Sequence, residues 1–293
     1  MPAITGRIDP LYAEAAKATA AGSKSFYFAT RFFPPDLARH AHAVYWFCRH
    51  TDDLVDEAPS REEGARGLTA WEAELNSMKP EEPILKLFLK TVDECGIPLA
   101  YARDLIAGCR MDLEQQRYST FEELRTFCYR VASTVGLMMC QVIGFRDASL
   151  EEVAKPHAID LGIAMQLTNI LRDVGEDLTL GRIYFPREDM DRFGYSESKL
   201  KSRDRSEAFR NLMRFEADRA RSYYASSKAG IPMLKPEGRF AVEIAARVYQ
   251  GILREIEKAD YDVFTRRAVV PTAEKYWITA QAIGSSWLER RRR

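Results

Sequence analysis

The chain is organised around one stretch, Gln166-Leu167-Thr168-Asn169-Ile170-Leu171-Arg172-Asp173-Val174-Gly175-Glu176-Asp177. If this stretch is helical, one face carries four polar residues at spacings of three, four and four, namely Gln166, Asn169, Asp173 and Asp177. Carboxylates one turn apart repel each other unless a positive group lies between them. Mg²⁺ takes oxygen ligands and is usually held by one or two carboxylates plus substrate phosphates. The stretch therefore predicts a helix with a magnesium-binding face.

A second stripe of the same kind lies nearer the N-terminus. Tyr45, Arg49, Asp52 and Asp56 are spaced four, three and four apart, so a helix again places two carboxylates one turn apart on one face. An arginine accompanies each acidic pair, Arg49 here and Arg172 in the other stripe. A pair of solvated acidic faces is the alternative, but both stripes lie among apolar residues. We therefore predict that the two stripes form facing walls of a Mg²⁺-diphosphate site.

Capping residues, prolines and apolar periodicity divide the chain into helical segments. We expect helices from Pro35 through the first stripe to near Pro59, from Ser60 to Leu75, over 84–95, over 99–117, from Thr120 to Gly144, from Ser149 through the second stripe, over 203–229 and over 237–258. Gly175 and Gly181 are expected to loosen the chain, and 184–195 is expected to be irregular. Because strand-like alternation is nearly absent and no linker divides the chain, the sequence predicts a single all-α domain over 1–293.

The composition argues against several classes of protein. The 43 basic and 43 acidic residues balance, so no net field favours nucleic acid as a partner. Five scattered cysteines without a Cys-x-x-Cys pair are typical of reduced thiols in a cytosolic protein. We expect no signal peptide and no spanning helix, because the longest apolar run, 131–145, is shorter than the roughly 18–20 residues that a span needs.

Five motifs carry a family resemblance. They are Ser23-Lys24-Ser25-Phe26, Tyr45 to Asp56, Tyr129-Arg130-Val131-Ala132-Ser133-Thr134-Val135-Gly136, Gln166 to Asp177, and Gly181-Arg182-Ile183-Tyr184-Phe185-Pro186. They extend over nearly the whole chain, and their combination resembles the squalene and phytoene synthase family, whose members join two prenyl diphosphates head to head. The resemblance implies a class I isoprenoid synthase-type helical fold with a central active-site cavity.

The resemblance also implies roles for individual residues. The implied metal ligands are Asp52, Asp56, Asn169, Asp173 and Asp177. The implied diphosphate contacts are Ser23, Lys24 and Ser25 on a flap, Arg49, Arg172, and one of Arg266 and Arg267. The implied substrate contacts are Tyr45, Tyr129, Gln166, Asn169 and Tyr249, so Asn169 is expected both as a metal ligand and as a substrate contact. The rings of Tyr45 and Tyr249 would face a cationic intermediate. On a helix, Tyr129, Ser133, Gly136 and Cys140 share one stripe at spacings of four, three and four. Small residues on this Tyr129 stripe would permit close helix packing, and the resemblance implies that they leave space for a prenyl chain. Gln166 and Asn169 are costly to bury without partners, which favours a polar site beside the metal.

The implied chemistry begins with Mg²⁺, or Mn²⁺ in its place, neutralising a diphosphate so that an allylic C–O bond ionises. The allylic cation alkylates a second prenyl diphosphate and yields a cyclopropylcarbinyl diphosphate, and a second ionisation leads to the joined hydrocarbon. Two geranylgeranyl diphosphates would give phytoene in carotenoid biosynthesis. Two farnesyl diphosphates would give presqualene diphosphate, dehydrosqualene or, with NADPH, squalene.

Phytoene synthesis is the leading interpretation. The segments 166–177 and 181–186 are most similar to those of bacterial members that make phytoene. The sequence also lacks a G-x-G-x-x-G motif, which would have indicated NADPH binding. Ala38, Ala41 and His42 precede Tyr45 on its helical face, which predicts depth for a long chain behind the metal site.

Other interpretations stay open on the sequence alone. They are a member that uses C15 substrates, a cyclase acting on one prenyl diphosphate, and a non-catalytic helical assembly factor on the same scaffold. The expected location is the cytoplasm, with peripheral membrane contact for product release. The four C-terminal arginines are expected to form a solvated tail, with anionic lipid as the alternative contact. The oligomeric state is not predicted.

Overall fold

A computed structural model describes residues 10–291, with side chains described as far as residue 283. Its α-helices in chain order are α1 (Leu11–Gly22), α2 (Lys24–Thr30), α3 (Pro35–Asp56), α4 (Arg61–Ser77), α5 (Pro83–Cys95), α6 (Leu99–Glu114), α7 (Phe121–Cys128), α8 (Thr134–Ile143), α9 (Glu151–Thr179), α10 (Arg187–Arg192), α11 (Glu197–Lys201), α12 (Glu207–Ser227), α13 (Pro236–Lys258) and α14 (Thr272–Arg291). A π-helical turn, Tyr129–Ser133, joins α7 to α8. Extended pairing among residues 10–291 is limited to two isolated bridges, so the predicted all-α class is confirmed.

Two long helices organise the packing. α9 packs against α8, α12, α13 and the π turn, whereas α3 packs against α1, α4, α5, α6 and α8. Each contributes to its own apolar core, α9 through residues such as Ile163 and Leu167, and α3 through Val44 and Phe47. The two predicted aspartate pairs lie in the last turns of these two helices, so the ends of α3 and α9 carry the candidate site.

The local sequence explains where several helices begin. α3 begins at Pro35, whose fixed φ suits the first turn of a helix. At the start of α4, the Ser60 hydroxyl accepts the Glu63 N–H at 3.2 Å, and Thr120 does the same for Glu123 at 3.3 Å at the start of α7. Each bond satisfies a backbone donor that the first turn leaves free, and these helix starts agree with the sequence prediction.

Some local expectations are wrong. Gly175 stays inside α9, and a Cβ at this position would lie 2.7 Å from the Val263 carbonyl oxygen. The glycine therefore lets a later segment cross the helix closely instead of loosening it. The segment expected to be irregular contains α10. Asp147, rather than Ser149, caps the 3₁₀ turn before α9 by accepting the Ser149 N–H at 2.9 Å.

The continuous helix 121–143 is long and apolar enough to span a membrane by length and composition. The sequence predicts no spanning helix because the apolar run 131–145 is shorter than a span, whereas the helix in the structure begins ten residues earlier, at residue 121. Of its apolar window, 56% is buried inside the protein. That burial is typical of a core helix in a globular fold.

Candidate active site

The first aspartate motif is joined to a segment that follows the second motif. Nη1 of Arg182 lies 2.7 Å from Oδ1 of Asp56. The Tyr184 hydroxyl donates to Oδ1 of Asp112 on α6 at 2.7 Å. Arg182 opposes the rise that burial causes in the pKa of both Asp112, which is raised to about 6, and Asp177. This arginine therefore lies within electrostatic reach of carboxylates from α3, α6 and α9.

The second motif is bound by two arginines. Arg172 donates through Nε and Nη2 to Asp173 at 2.8 and 2.5 Å. Arg267, from the segment after α13, lies 2.9 Å from the same carboxylate through Nε and donates to it through Nη2 at 3.0 Å. Arg266 and Arg267 are both exposed, and the contact with Asp173 identifies Arg267 as the one that faces the site.

Arg49 also pairs within its own helix. Its Nη2 lies 2.5 Å from Oδ1 of Asp53, and its Nη1 lies 3.8 Å from Oδ2 of Asp52. The main partner of Arg49 is thus a carboxylate that the sequence analysis did not include. Asp53 lies inside the motif from Tyr45 to Asp56 and four residues after Arg49, so the same helical spacing could have identified it.

Burial and mutual repulsion raise the pKa of one carboxyl group in each aspartate motif. Burial, together with the charge of Asp173, raises the pKa of Asp177 to about 8. Loss of hydration and the nearby Asp56 raise the pKa of Asp52 as well, although 45% of its side-chain surface is accessible. A cation between such groups favours their ionised forms. The site is therefore electrostatically suited to a positively charged ligand.

The oxygen donors fit Mg²⁺ only in part. Oδ1 of Asn169 is buried without a hydrogen-bond partner, while its amide nitrogen donates to Gln166 Oε1 at 3.3 Å. The side chain thus presents an unpaired oxygen one turn before Asp173. Within the described part of the chain, no group of three His, Cys, Asp or Glu side chains lies close enough to hold an ion by itself. The described side chains alone therefore do not form a complete set of Mg²⁺ ligands.

An apolar cavity of about 260 Å³ adjoins the polar residues. Its walls come from α2, α3, α8, α9, α13 and the turn after α12. Four predicted substrate contacts line it, namely Tyr45, Gln166, Asn169 and Tyr249. Along α9 the lining extends from Asn169 back to Ala154, which corresponds to about 22 Å of helix. The structure therefore brings these side chains together at one end of a long apolar space.

Tyr45 is held by an aromatic neighbour on α2. Its ring stacks on Phe26 with 5.4 Å between the ring centroids. Burial raises the pKa of Tyr45 to about 12. The hydroxyl is therefore neutral near pH 7, so Tyr45 offers a ring face and a neutral hydroxyl to a bound substrate.

Tyr129 does not line the apolar cavity, and its role as a substrate contact stays a prediction. The π turn adds a residue per turn at this point, so the spacing of a regular helix does not hold. The Tyr129 hydroxyl donates to Asp104 at 3.4 Å, and the Ser133 hydroxyl donates to the Ile159 carbonyl at 2.7 Å. Of the stripe, Gly136 and Cys140 still line the cavity.

The cavity does not extend along the α3 face before Tyr45, where the sequence predicted space for a long prenyl chain. Ala38, Ala41 and His42 do not line the cavity, and Ala41 is fully buried in the apolar core around α3. The cavity instead extends along α8, α9 and α13. Side-chain size on these three helices therefore sets its depth.

The residues predicted to form a flap, 23–25, instead form the start of a helix. Lys24 and Ser25 belong to α2, and the Ser23 hydroxyl caps this helix by accepting the Phe26 N–H at 3.3 Å. Lys275 on α14 is buried, and burial together with the charge of Lys24 lowers its pKa. The two ammonium groups thus lie close enough to repel each other.

Asp53, Asp112 and Arg182 are site residues that the sequence patterns did not predict. Arg182 and Asp53 stand in quoted motifs, which were usable signals. Asp112 lies in a segment without any motif, and only the packing of α6 brings it near the site.

The comparisons with known proteins agree with this geometry. The family model described as squalene/phytoene synthase matches residues 19–274. The chain is 41% identical over 293 residues to a 15-cis-phytoene synthase of Synechocystis sp., covering 94% of this chain and 87% of that protein. It is 43% identical over 269 residues to a phytoene synthase of Arthrospira platensis, covering 88% and 87%.

A solved structure is similar over almost its whole length. The crystal structure of a dehydrosqualene synthase in complex with ligand superposes with a TM-score of 0.87 at 32% identity, covering 95% of this chain and 96% of that one. The fold implied by the sequence resemblance is therefore confirmed. On the family match and on the identity to two synthases over most of their lengths, this chain belongs to the squalene/phytoene synthase family.

Proposed function

We propose that this protein is a prenyltransferase that condenses two geranylgeranyl diphosphates head to head to give phytoene, in carotenoid biosynthesis. The observation that carries the proposal is the continuity of the site. An apolar cavity along α9 ends at Asn169, one turn from the Asp173 carboxylate and its two arginines. Such a space suits a long hydrocarbon that carries a charged head group. The identity of 41–43% to phytoene synthases favours the C20 substrate.

Mg²⁺ is the proposed cofactor, and Mn²⁺ is the alternative. The residues that would hold it are Asp52, Asp56, Asn169, Asp173 and Asp177. When bound, it supplies charge neutralisation of the diphosphate leaving group. The unpaired oxygen of Asn169 and the raised pKa of Asp177 support a cation at this place.

The basic side chains would bind the departing diphosphate. Arg172 and Arg267 already present their guanidinium groups at Asp173, and a guanidinium fork matches phosphate oxygens as well as carboxylate oxygens. Arg49 would contribute from α3, and Lys24 would contribute from α2. Breaking the allylic C–O bond leaves the electron pair on the diphosphate, where these cations stabilise it.

The cavity walls would protect and stabilise the carbocation. The cation forms a C–C bond with the double bond of the second substrate, and loss of a proton closes the cyclopropane ring. Apolar walls exclude the water that would otherwise quench the cation. The rings of Tyr45 and Tyr249 attract it by about 0.5–2 kcal/mol each. The diphosphate can accept the proton, so the chain needs no strong general base.

Use of C15 substrates is the second candidate. The observation that favours it is the similarity to the solved dehydrosqualene synthase. A non-catalytic role has little support, because such a protein would have no need of two aspartate pairs with arginine partners. We also propose a cytoplasmic location with peripheral membrane contact. The exposed apolar side chains Val269, Tyr276, Trp277 and Ile283 near the C-terminus support that contact.

The test is an assay of purified protein with geranylgeranyl diphosphate, Mg²⁺ and no reduced nicotinamide. Mass spectrometry should detect the C40 hydrocarbon, and EDTA should stop its formation until Mg²⁺ is added back. A single-substrate cyclised product would contradict the head-to-head reaction. Turnover that continues unchanged in EDTA would contradict the metal site.

A further inference from the structure

The turn after α13 has a strained backbone. Asp260 and Tyr261 are consecutive non-glycine residues with φ of 50° and 57°. The left-handed region is disfavoured for residues with a Cβ, although Asp and Asn tolerate it better than most. Such conformations persist only where the surrounding structure holds them. Contacts outside the turn must therefore hold it in this shape.

Two arginines from the start of α12 hold the turn. Arg210 donates through Nε and Nη2 to the Asp260 carboxylate at 3.0 and 2.8 Å. Arg205 donates to the Asp260 carbonyl oxygen at 2.8 Å and lies 3.4 Å from the carboxylate of Asp262. A guanidinium fixes direction as well as charge, because its donors are planar and rigid. We call this set of four residues the turn clamp.

The chain runs from the turn clamp directly to the candidate site. Asp262 accepts hydrogen bonds from the Thr265 N–H at 3.2 Å and from its hydroxyl at 2.7 Å. Between them, the Val263 carbonyl passes over Gly175 of α9. Two residues after Thr265, Arg267 pairs with Asp173. An unbroken series of contacts thus connects α12 to a guanidinium at the second aspartate motif.

We propose that Arg205 and Arg210 are positioning residues that set the place of Arg267 through the turn clamp, and thereby the strength of diphosphate binding. The proposal rests on the proposed function only in taking Arg267 as a diphosphate contact. The clamp touches neither substrate nor metal ligands, and its effect passes through the backbone of 260–267.

The clamp contributes more to geometry than to global stability. The side chain of Asp260 is 58% exposed, and those of Arg205 and Arg210 are about one-third exposed. Exposed ion pairs of this kind contribute little to the stability of the fold. Loss of the clamp should therefore leave the protein folded while the loop that carries Arg267 samples other positions.

Asp260→Asn is the direct test, because Asn tolerates the left-handed backbone and only the charged partner is lost. Calorimetry with inorganic pyrophosphate and Mg²⁺ measures binding without any need for turnover. We expect about tenfold weaker pyrophosphate binding, because a displaced Arg267 would lose part of its contact with the ligand. A misplacement of about 1 Å caused by a remote mutation can lower a reaction rate by about 10²-fold, so a tenfold effect is within this range. The matched control is Asp36→Asn, which removes the exposed partner of Arg39 on α3 and should leave binding unchanged.

A double-mutant cycle separates positioning from a general structural effect. In an Arg267→Ala background, Asp260→Asn should change pyrophosphate binding by less than about twofold. The pyrophosphate affinity of Arg210→Lys should lie between those of wild type and Asp260→Asn, because lysine keeps the positive charge but lacks the two-pronged guanidinium. An equal loss of binding with and without Arg267, or no loss in Asp260→Asn, would overturn the proposal. Failure of the wild type to condense prenyl diphosphates would instead overturn the proposed function, which pyrophosphate binding does not test.

Discussion

Nη1 of Arg182 lies 2.7 Å from Oδ1 of Asp56, so a residue that follows the second aspartate motif is paired with the first. The Arg182 side chain is 12% exposed and the Asp56 side chain is 30% exposed, so the arginine is largely buried whereas the carboxylate keeps part of its contact with solvent. Removing one partner of a buried pair leaves an uncompensated charge. The pair therefore ties the end of α3 to the segment after α9.

Arg182→Gln should lower both stability and turnover. We expect a loss of about 1–3 kcal/mol in the free energy of unfolding, because Asp56 would lose a charged hydrogen-bond partner while keeping part of its contact with water. Urea unfolding monitored by circular dichroism measures this loss. Arg187→Gln is the control, since its partner Asp191 is exposed and the pair should contribute little. Equal stability of the two variants would show that Arg182 is not a structural link.

The aspartates can be tested one at a time. Asp52→Asn and Asp173→Asn should nearly abolish turnover while leaving the circular dichroism spectrum close to wild type. The melting temperature should stay close to wild type in Asp52→Asn and fall in Asp173→Asn, because the largely buried Arg172 loses its charged partner. Each change removes a charged oxygen donor and retains the shape of the side chain. Asp191→Asn, at an exposed position on α10, is the control. Full turnover by either site variant would remove that residue from the proposed metal site.

The raised pKa of Asp177 predicts a pH dependence of stability in the metal-free protein. With a pKa of about 8 in the folded state and about 4 when unfolded, the carboxyl binds its proton more tightly in the folded protein. Its stabilising effect is therefore fully present below about pH 4 and is lost as the pH rises through about 8. In EDTA, the melting temperature should fall from pH 6 to pH 9 more steeply for wild type than for Asp177→Asn. Parallel curves would contradict the raised pKa.

Much of this site follows from local sequence patterns. Residues spaced three and four apart predicted the stripes on α3 and α9, because regular helix geometry converts spacing into a common face. Gln166 and Asn169 line the cavity together because they share one face of α9. Tyr45 lies on α3, so tertiary packing is what brings it to the same cavity. The single-domain organisation over 1–293 stays a prediction.

The parts that were missed depend on tertiary packing. The π turn changes the register of the Tyr129 stripe, and no periodicity in the sequence marks it. Asp112 reaches the site through the packing of α6, and its partner Tyr184 lies 72 residues away in the chain. Gly175 suggested a flexible point, whereas its role is to let the Val263 carbonyl approach α9. Such pairings come from the fold as a whole.

The depth of the cavity predicts which substrate length is accepted. Ala158 lines the cavity on α9, about 16 Å along the helix from Asn169. Ala158→Leu should lower the ratio of C20 to C15 turnover by about tenfold, because the added carbons occupy space needed by the longer tail. Val153→Leu adds a methylene at an exposed position on the same helix and should leave the ratio unchanged. A ratio that does not move in Ala158→Leu would place the prenyl tail elsewhere.

A competition assay tests the central claim most directly. Purified protein receives equal amounts of farnesyl and geranylgeranyl diphosphate with Mg²⁺ and without NADPH, and mass spectrometry compares the C30, C35 and C40 products. We predict that the C40 product, phytoene, predominates. Predominance of a C30 product, whether presqualene diphosphate or dehydrosqualene, would contradict the proposed substrate and leave only the head-to-head reaction.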